Sequence, residues 1–246
     1  SLVGSEMCIR DRIKKTGKPM IVVLIAGKPL AMPWVKENAD AVLVQWYAGE
    51  QQGRTLADIL LGKVNPSGKL NVSFPRSTGN TPCFYNHFVT DREEPFDQPG
   101  TPEEPKGHYI FDKPEPLWNF GHGKSYTTFD YVDCALSDTL LAASDTLKVS
   151  VMIKNTGRCD GKEVVQLYVR DKVSTVATPI QQLKAFQKVL VKSGESQCVE
   201  LSLPIAELAL YNAKMEEVVE PGDFEIQIGA ASDDIRFKKT ITINRK

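Results

Sequence analysis

The sequence predicts a multidomain α/β plus all-β chain: a partial parallel α/β sandwich followed by a fibronectin type III-like β-sandwich. Three observations carry this expectation. The run MIVVLIA at residues 20–26 is continuously apolar, as a strand buried on both faces of a parallel sheet is. Leu56, Ile59 and Leu60 recur at helical spacing after a second such run. After about Phe129 the pattern changes to short segments in which apolar and polar residues alternate.

The elements follow in order. The run at residues 20–26 ends at Gly27-Lys28-Pro29, a turn signal, and a short helix is expected around residues 32–38. Residues 41–47, AVLVQWY, give a second buried strand, which Gly49 breaks. A helix is expected over residues 50–61, with Glu50 in its first turn at the positive end of the dipole. Gly62 stops it, and Asn65-Pro66-Ser67-Gly68 fits a type I turn. Residues 70–74, LNVSF, alternate and predict a third strand. Right-handed crossovers would make these three strands parallel. Three strands apolar on both faces want neighbours and covering helices, so the segment reads as the back half of a larger α/β domain.

Residues 82–116 are acidic, dense in Pro and Gly, and without periodicity, as a long connecting loop is. Beyond residue 129, strands are expected at 147–153, 164–169, 183–191, 198–203, 217–219, 224–228 and 235–243. In the first of these, Val149, Val151 and Ile153 share one face and Lys148, Ser150 and Met152 the other. About seven short strands in roughly 115 residues indicate an antiparallel sandwich, and the lack of a Cys…Trp…Cys pattern favours the fibronectin-like kind.

Composition excludes several functions. Thirty basic residues against 31 acidic ones leave a net charge of −1, so no basic field exists for nucleic acid. No apolar run approaches the length of a membrane span. The five cysteines, Cys8, Cys83, Cys134, Cys159 and Cys198, form no CxxC pair and read as free thiols, with Cys159 and Cys198 one conceivable disulfide. His87, His108 and His122 stand apart without ligand spacing, and no metal or cofactor is expected.

Gly62 to Lys69 invites a phosphate-loop reading that fails. Five residues separate Gly62 from Gly68, Leu70 replaces the magnesium-binding hydroxyl, Pro66 lacks an N–H, and a strand rather than a helix is expected next. Ser67 and Ser125 lack a nucleophile elbow. Asn71-Val72-Ser73 is a glycosylation sequon by pattern, but lies in the expected third strand. Paired carboxylates would suit glycoside chemistry, and Glu50, Asp58, Glu93, Glu94, Glu103, Glu104 and Asp112 are the candidates. Glu50, beside Trp46 and Tyr47 after a strand's carboxyl end, comes nearest, against the simpler reading of a helix N-terminal charge.

Several stretches in order carry a resemblance: IVVLIAGKPLAMPWV, ADAVLVQWYAGEQQGRTLADILLGKVNPSGKLNVSFP, PLWNFGHGKSYTTFDY, NTGRCDGKEVVQLYVRD and QQLKAFQKV. Residues 13–246 resemble the C-terminal part of family 3 glycoside hydrolases, the β-glucosidase and β-xylosidase family. The resemblance implies residues 13–81 as the C-terminal half of an α/β sandwich domain, 82–128 as a Pro-rich acidic linker with the FGHG segment, and 129–246 as a fibronectin type III-like domain. It implies a retaining enzyme removing β-linked glucose or xylose from oligosaccharides, with the catalytic barrel and the acid/base loop absent, so this chain alone is expected to be inactive. The alternative is a non-catalytic binding or interaction module built on the β-sandwich. A periplasmic or secreted site is what the family implies.

No catalytic residue carries over. By the same resemblance, loops after the α/β strands face the barrel, making Trp46, Tyr47, Glu50 and Gln51 the cleft candidates. Trp46 and Tyr47 suit either of two tasks, stacking on a sugar or packing between domains. Residues 1–12, SLVGSEMCIRDR, match nothing in the family at this position and resemble translated adapter sequence. They are expected to be non-native and without a fixed position. Glu6 stands too close to the first strand to serve as the acid/base.

Overall fold

In the computed structural model, which describes residues 3–88 and 115–244, the alternation after Phe129 becomes two facing sheets. The chain divides into two units: residues 1–63, 74–83 and 96–117 make the first, and residues 64–73, 84–95 and 118–246 the second.

In the first unit, α1 (Val3–Lys15) precedes β1 (Ile21–Leu24), α2 (Pro33–Asn38), β2 (Ala41–Val44) and α3 (Gln52–Leu60). β1 and β2 pair in parallel from Ile21 with Ala41 to Leu24 with Val44, as the apolar runs predicted. Asp40 fixes the entry to both strands, its Oδ2 accepting from the Met20 amide at 2.7 Å. Pro33 opens α2, where its missing N–H leaves nothing unsatisfied, and Val35 is buried beneath it.

Four expectations for this unit need correction. The third strand does not form; residues 70–73 belong to the second unit, where the Leu70 amide donates to the His122 carbonyl and the Leu70 carbonyl accepts from Gly121, and Phe74 belongs to the first. Neither strand is buried on both faces: Ile21 is 51% exposed and the rest of β1 half-buried, because a two-stranded sheet has few neighbours to cover it. α3 begins at Gln52, which leaves Glu50 in the turn before it rather than in its first turn. Finally, α1 gives order to residues expected to have none. The Arg10 guanidinium stands 4.9 Å over the Trp34 ring, and Lys14 Nζ donates to the Asn38 carbonyl at 2.6 Å. Its basic last turn complements the negative end of the dipole.

The second unit contains β3 (Phe129–Leu136), β4 (Leu140–Leu141), β5 (Thr146–Asn155), β6 (Gly161–Asp171), β7 (Gln182–Val191), β8 (Ser196–Pro204), β9 (Leu210–Tyr211), β10 (Glu217–Val218), β11 (Gly222–Ala231) and β12 (Asp234–Ile243). One sheet runs β4-β12-β11-β6-β7 and the other β3-β5-β8. Pairing within them is antiparallel apart from β4 with β12. Val149, Val151 and Ile153 point inward and are fully buried, while Lys148 and Lys154 face water. Val165 and Leu167 of β6, Leu203 of β8 and Ile226, Ile228 and Ile241 meet them in one core. This is a two-sheet sandwich, with its core between the inner faces. All seven expected strands are present; β3, β4 and β9 are additional.

Cys83, Cys134, Cys159 and Cys198 are free, so the conceivable disulfide between Cys159 and Cys198 is not formed. Cys159 sits in the turn before β6, and Cys198 pairs with Met152 on the outer face of β8. Among the described residues, no helix is long and apolar enough to cross a membrane.

Candidate functional site

The candidate site lies where β1 and β2 end. The Gln45 amide donates to the Leu24 carbonyl at 2.9 Å, carrying the parallel ladder one step beyond β2. Gln45 Nε2 donates to the Gln52 carbonyl at 2.7 Å and ties the loop to the start of α3. Between these ties the chain turns sharply. Trp46 has φ +52°, the left-handed region that aromatic residues seldom adopt, and Gly49 has φ +73°. The Trp46 ring is half-buried, with its centroid 5.9 Å from that of the fully buried Phe74. Tyr47 is 76% exposed. Its ring lies across Gly27: a Cβ on that glycine would come within 2.7 Å of Tyr47 Cε2. Glu50 and Gln51 are exposed in the turn.

The structure thus gathers the four sequence-predicted residues on one loop but gives them different surroundings. Asp58 is occupied on the surface of α3 by Arg54 at 4.0 Å and Lys63 at 3.8 Å. Glu93, Glu94, Glu103, Glu104, Asp112 and His108 lie outside the described residues, as do most of the acidic linker and the Glu6 side chain. Among the described residues, no group of three or more His, Cys, Asp or Glu side chains could hold a metal ion.

The other motifs turn out to build the second unit. Asn65 Oδ1 accepts from Ser125 Oγ at 2.9 Å and from the Tyr126 amide at 2.8 Å, and its Nδ2 donates to the Asp160 carbonyl at 2.9 Å. One asparagine therefore joins NPSG, GKSY and the turn before β6. Lys69 Nζ forms an ion pair with Glu163 of β6, so its charge is not available to a phosphate. Gly121, at φ +80°, sits where a Cβ would be 2.2 Å from Gln166 Oε1. Gln166 Nε2 donates to the Ala230 carbonyl, and Tyr168 OH donates to Gln166 Oε1. Phe120 stacks on Tyr85 with centroids 4.2 Å apart, and the edge of Tyr85 meets Tyr168. Burial holds the Tyr168 hydroxyl neutral far above its ordinary range. Asn155 is wholly buried; its Oδ1 accepts from Thr127 Oγ1 at 2.6 Å and its Nδ2 donates to the Val191 carbonyl at 2.9 Å. Asn71 is exposed in a bend, not a strand, and Ser73 beside it is buried.

Residues 3–126 match the glycosyl hydrolase family 3 C-terminal domain, and residues 163–232 match a fibronectin type III-like domain. The chain belongs to glycosyl hydrolase family 3. The family 3 chain is 41% identical to a beta-xylosidase of Formosa agariphila over 247 aligned positions, covering 100% of this chain and 32% of that protein. It is 39% identical to a periplasmic beta-glucosidase of Salmonella typhimurium, covering 94% of this chain and 30% of that one. Among solved structures, the beta-glucosidase of Listeria innocua in complex with glucose superposes with a TM-score of 0.85 at 36% identity, covering 96% of this chain and 32% of the other. The chain spans about a third of the length of these relatives.

Sequence reasoning named the loops that begin at Gly27 and at Trp46 but not the contacts between Gly27 and Tyr47 and between Phe74 and Trp46. The signal for Gly27 was present, since a glycine directly after a buried run marks a close approach. Phe74 was assigned to a strand, and its role depends on a contact no local pattern encodes.

Proposed function

We propose that this chain is the C-terminal portion of a retaining glycosidase that removes terminal β-linked glucose or xylose from oligosaccharides. The observation that carries the reading is the match to a family 3 C-terminal domain in a chain spanning about a third of relatives named beta-xylosidase and beta-glucosidase. Such an enzyme needs a carboxylate nucleophile and a carboxylic acid on either side of the scissile bond. Asp58 lies 4.0 Å from Arg54 and 3.8 Å from Lys63 on the surface of α3, and Glu50 stands in an exposed turn, so neither sits in an apolar enclosure. On this reading, as the family likeness implies, the two catalytic groups belong to a barrel and a loop of the longer enzyme. The contribution of this chain is the loop bearing Trp46, Tyr47, Glu50 and Gln51, which borders the sugar cleft. The half-exposed two-stranded sheet is consistent with an α/β domain completed by further strands.

The test is to express residues 13–246 and assay aryl β-glucoside and aryl β-xyloside beside the longer enzyme that contains them. The fragment is expected to give no turnover and the longer enzyme to cleave at least one substrate. Robust turnover by the fragment overturns the assignment. The rival reading, a non-catalytic module, draws on the closed core of the second unit. A reading frame that continues upstream into a barrel excludes it.

A further inference from the structure

Trp46 and Tyr47 are adjacent, yet the fold treats them oppositely. Trp46 takes an unfavourable left-handed backbone conformation and packs toward buried Phe74. That conformation turns the next residue outward. Tyr47 is consequently exposed over three-quarters of its surface, but it does not stand loose: one edge of its ring is seated on Gly27, at the end of the neighbouring strand. Ties from Gln45 to Leu24 and to Gln52 fix the loop on both sides. Strain in a bulky residue persists only where the surroundings over-determine it, and here the result is one ring displayed at the carboxyl end of a parallel sheet.

We propose that Tyr47 is the stacking platform for the leaving-group sugar of a β-linked disaccharide, that Gly27 is the positioning residue setting the plane of its ring, and that Trp46 is an anchor that does not touch sugar. This rests on the glycosidase reading above and divides the cleft loop within it. A pyranose offers one face of axial C–H groups. A fixed aromatic face meets it without losing rotamer freedom on binding, which is how rigid tyrosines contribute affinity. The alternative occupant of an exposed ring is a neighbouring domain, and the two differ in what they do to kinetics. A platform for the leaving-group sugar acts only on substrates that possess one.

The experiment uses the longer enzyme containing this chain, with cellobiose and xylobiose against the corresponding β-glycosyl fluorides, whose leaving group has no ring. Tyr47→Ala is expected to lower the disaccharide-to-fluoride ratio of kcat/KM by about tenfold, through KM rather than kcat. Gly27→Ala keeps the tyrosine but displaces its ring and is expected to lower the same ratio. Tyr47→Phe is expected to restore it. An unchanged ratio in both Tyr47→Ala and Gly27→Ala overturns the platform. Equal losses on both substrate types also overturn it and mark Tyr47 as a packing residue. If the unmodified enzyme hydrolyses none of these compounds, the glycosidase reading itself falls and takes the platform with it, an outcome distinct from the other two.

Discussion

Lys69 and Glu163 form an ion pair of 2.9 Å with side-chain exposures of 14% and 8%, joining a turn motif to the start of sandwich strand β6 across 94 positions of sequence. Removing one partner leaves the other charge buried without its counter-ion. Lys69→Met is expected to destabilise the chain by about 3 kcal/mol, whereas Lys69→Met with Glu163→Leu recovers most of that loss. Urea denaturation of the two variants against wild type decides it. Equal losses in the single and double variants would show that the pair is only a bystander.

Gly121 offers a steric counterpart. Its φ of +80° disfavours any side chain, and a Cβ would meet Gln166 Oε1 at 2.2 Å and the Ala231 backbone at 3.1 Å. Gly121→Ala is expected to cost on the order of 2–3 kcal/mol, read as a lowered melting temperature. Gly53, with nothing within 4 Å of its Cβ position and a place inside α3, is the control, and Gly53→Ala should leave stability equal or raise it.

The free thiols can be counted chemically. Cys159 and Cys198 are exposed, while Cys134 is buried and desolvation raises its pKa. In the native chain, Ellman's reagent should label Cys159 and Cys198 rapidly and Cys134 only after unfolding. Peptide mapping that finds Cys159 linked to Cys198 in protein handled without oxidant contradicts the structure.

Acid sensitivity has a local source at Glu220. The Thr175 hydroxyl and then the Thr175 amide hydrogen-bond its carboxylate and hold its pKa below the ordinary glutamate value, with Ser174 Oγ adding a weaker bond. A folded pKa below the unfolded one gives stabilisation that is complete above the unfolded value and is lost as pH falls through the folded one. The window therefore lies below about pH 4.3, the unperturbed value. Glu220→Gln should flatten the decline in melting temperature on acidification below that pH, compared with wild type. Parallel declines would remove Glu220 as the source.

Much of this fold is legible in the sequence where local pattern and burial agree. Val149, Val151 and Ile153 alternate because one face of β5 meets the core along its whole length. β3 escaped notice because a bulge between Tyr131 and Asp133 breaks its alternation, leaving Val132 and Asp133 both exposed. Residues 70–74 alternate like a strand, yet Leu70 spends its backbone bonds on Gly121 and His122, some fifty positions away. At the candidate site, the aromatic pair and the two acceptor-bearing neighbours were visible as types. Their division into an anchored ring and a displayed one was not, because it depends on the sign of one backbone angle at Trp46 and on Phe74, 28 positions further on.

The two units are interleaved along the chain, with residues 64–73 in the second and residues 74–83 back in the first. Neither unit is therefore encoded by one uninterrupted stretch of gene. A single crossover cannot transplant the sandwich into another protein together with the segment carrying Asn65 and Lys69, because that segment lies upstream of residues belonging to the other unit. Inheritance must act on both units jointly, so chimaeras between relatives should tolerate junctions outside residues 64–117 far better than junctions within them.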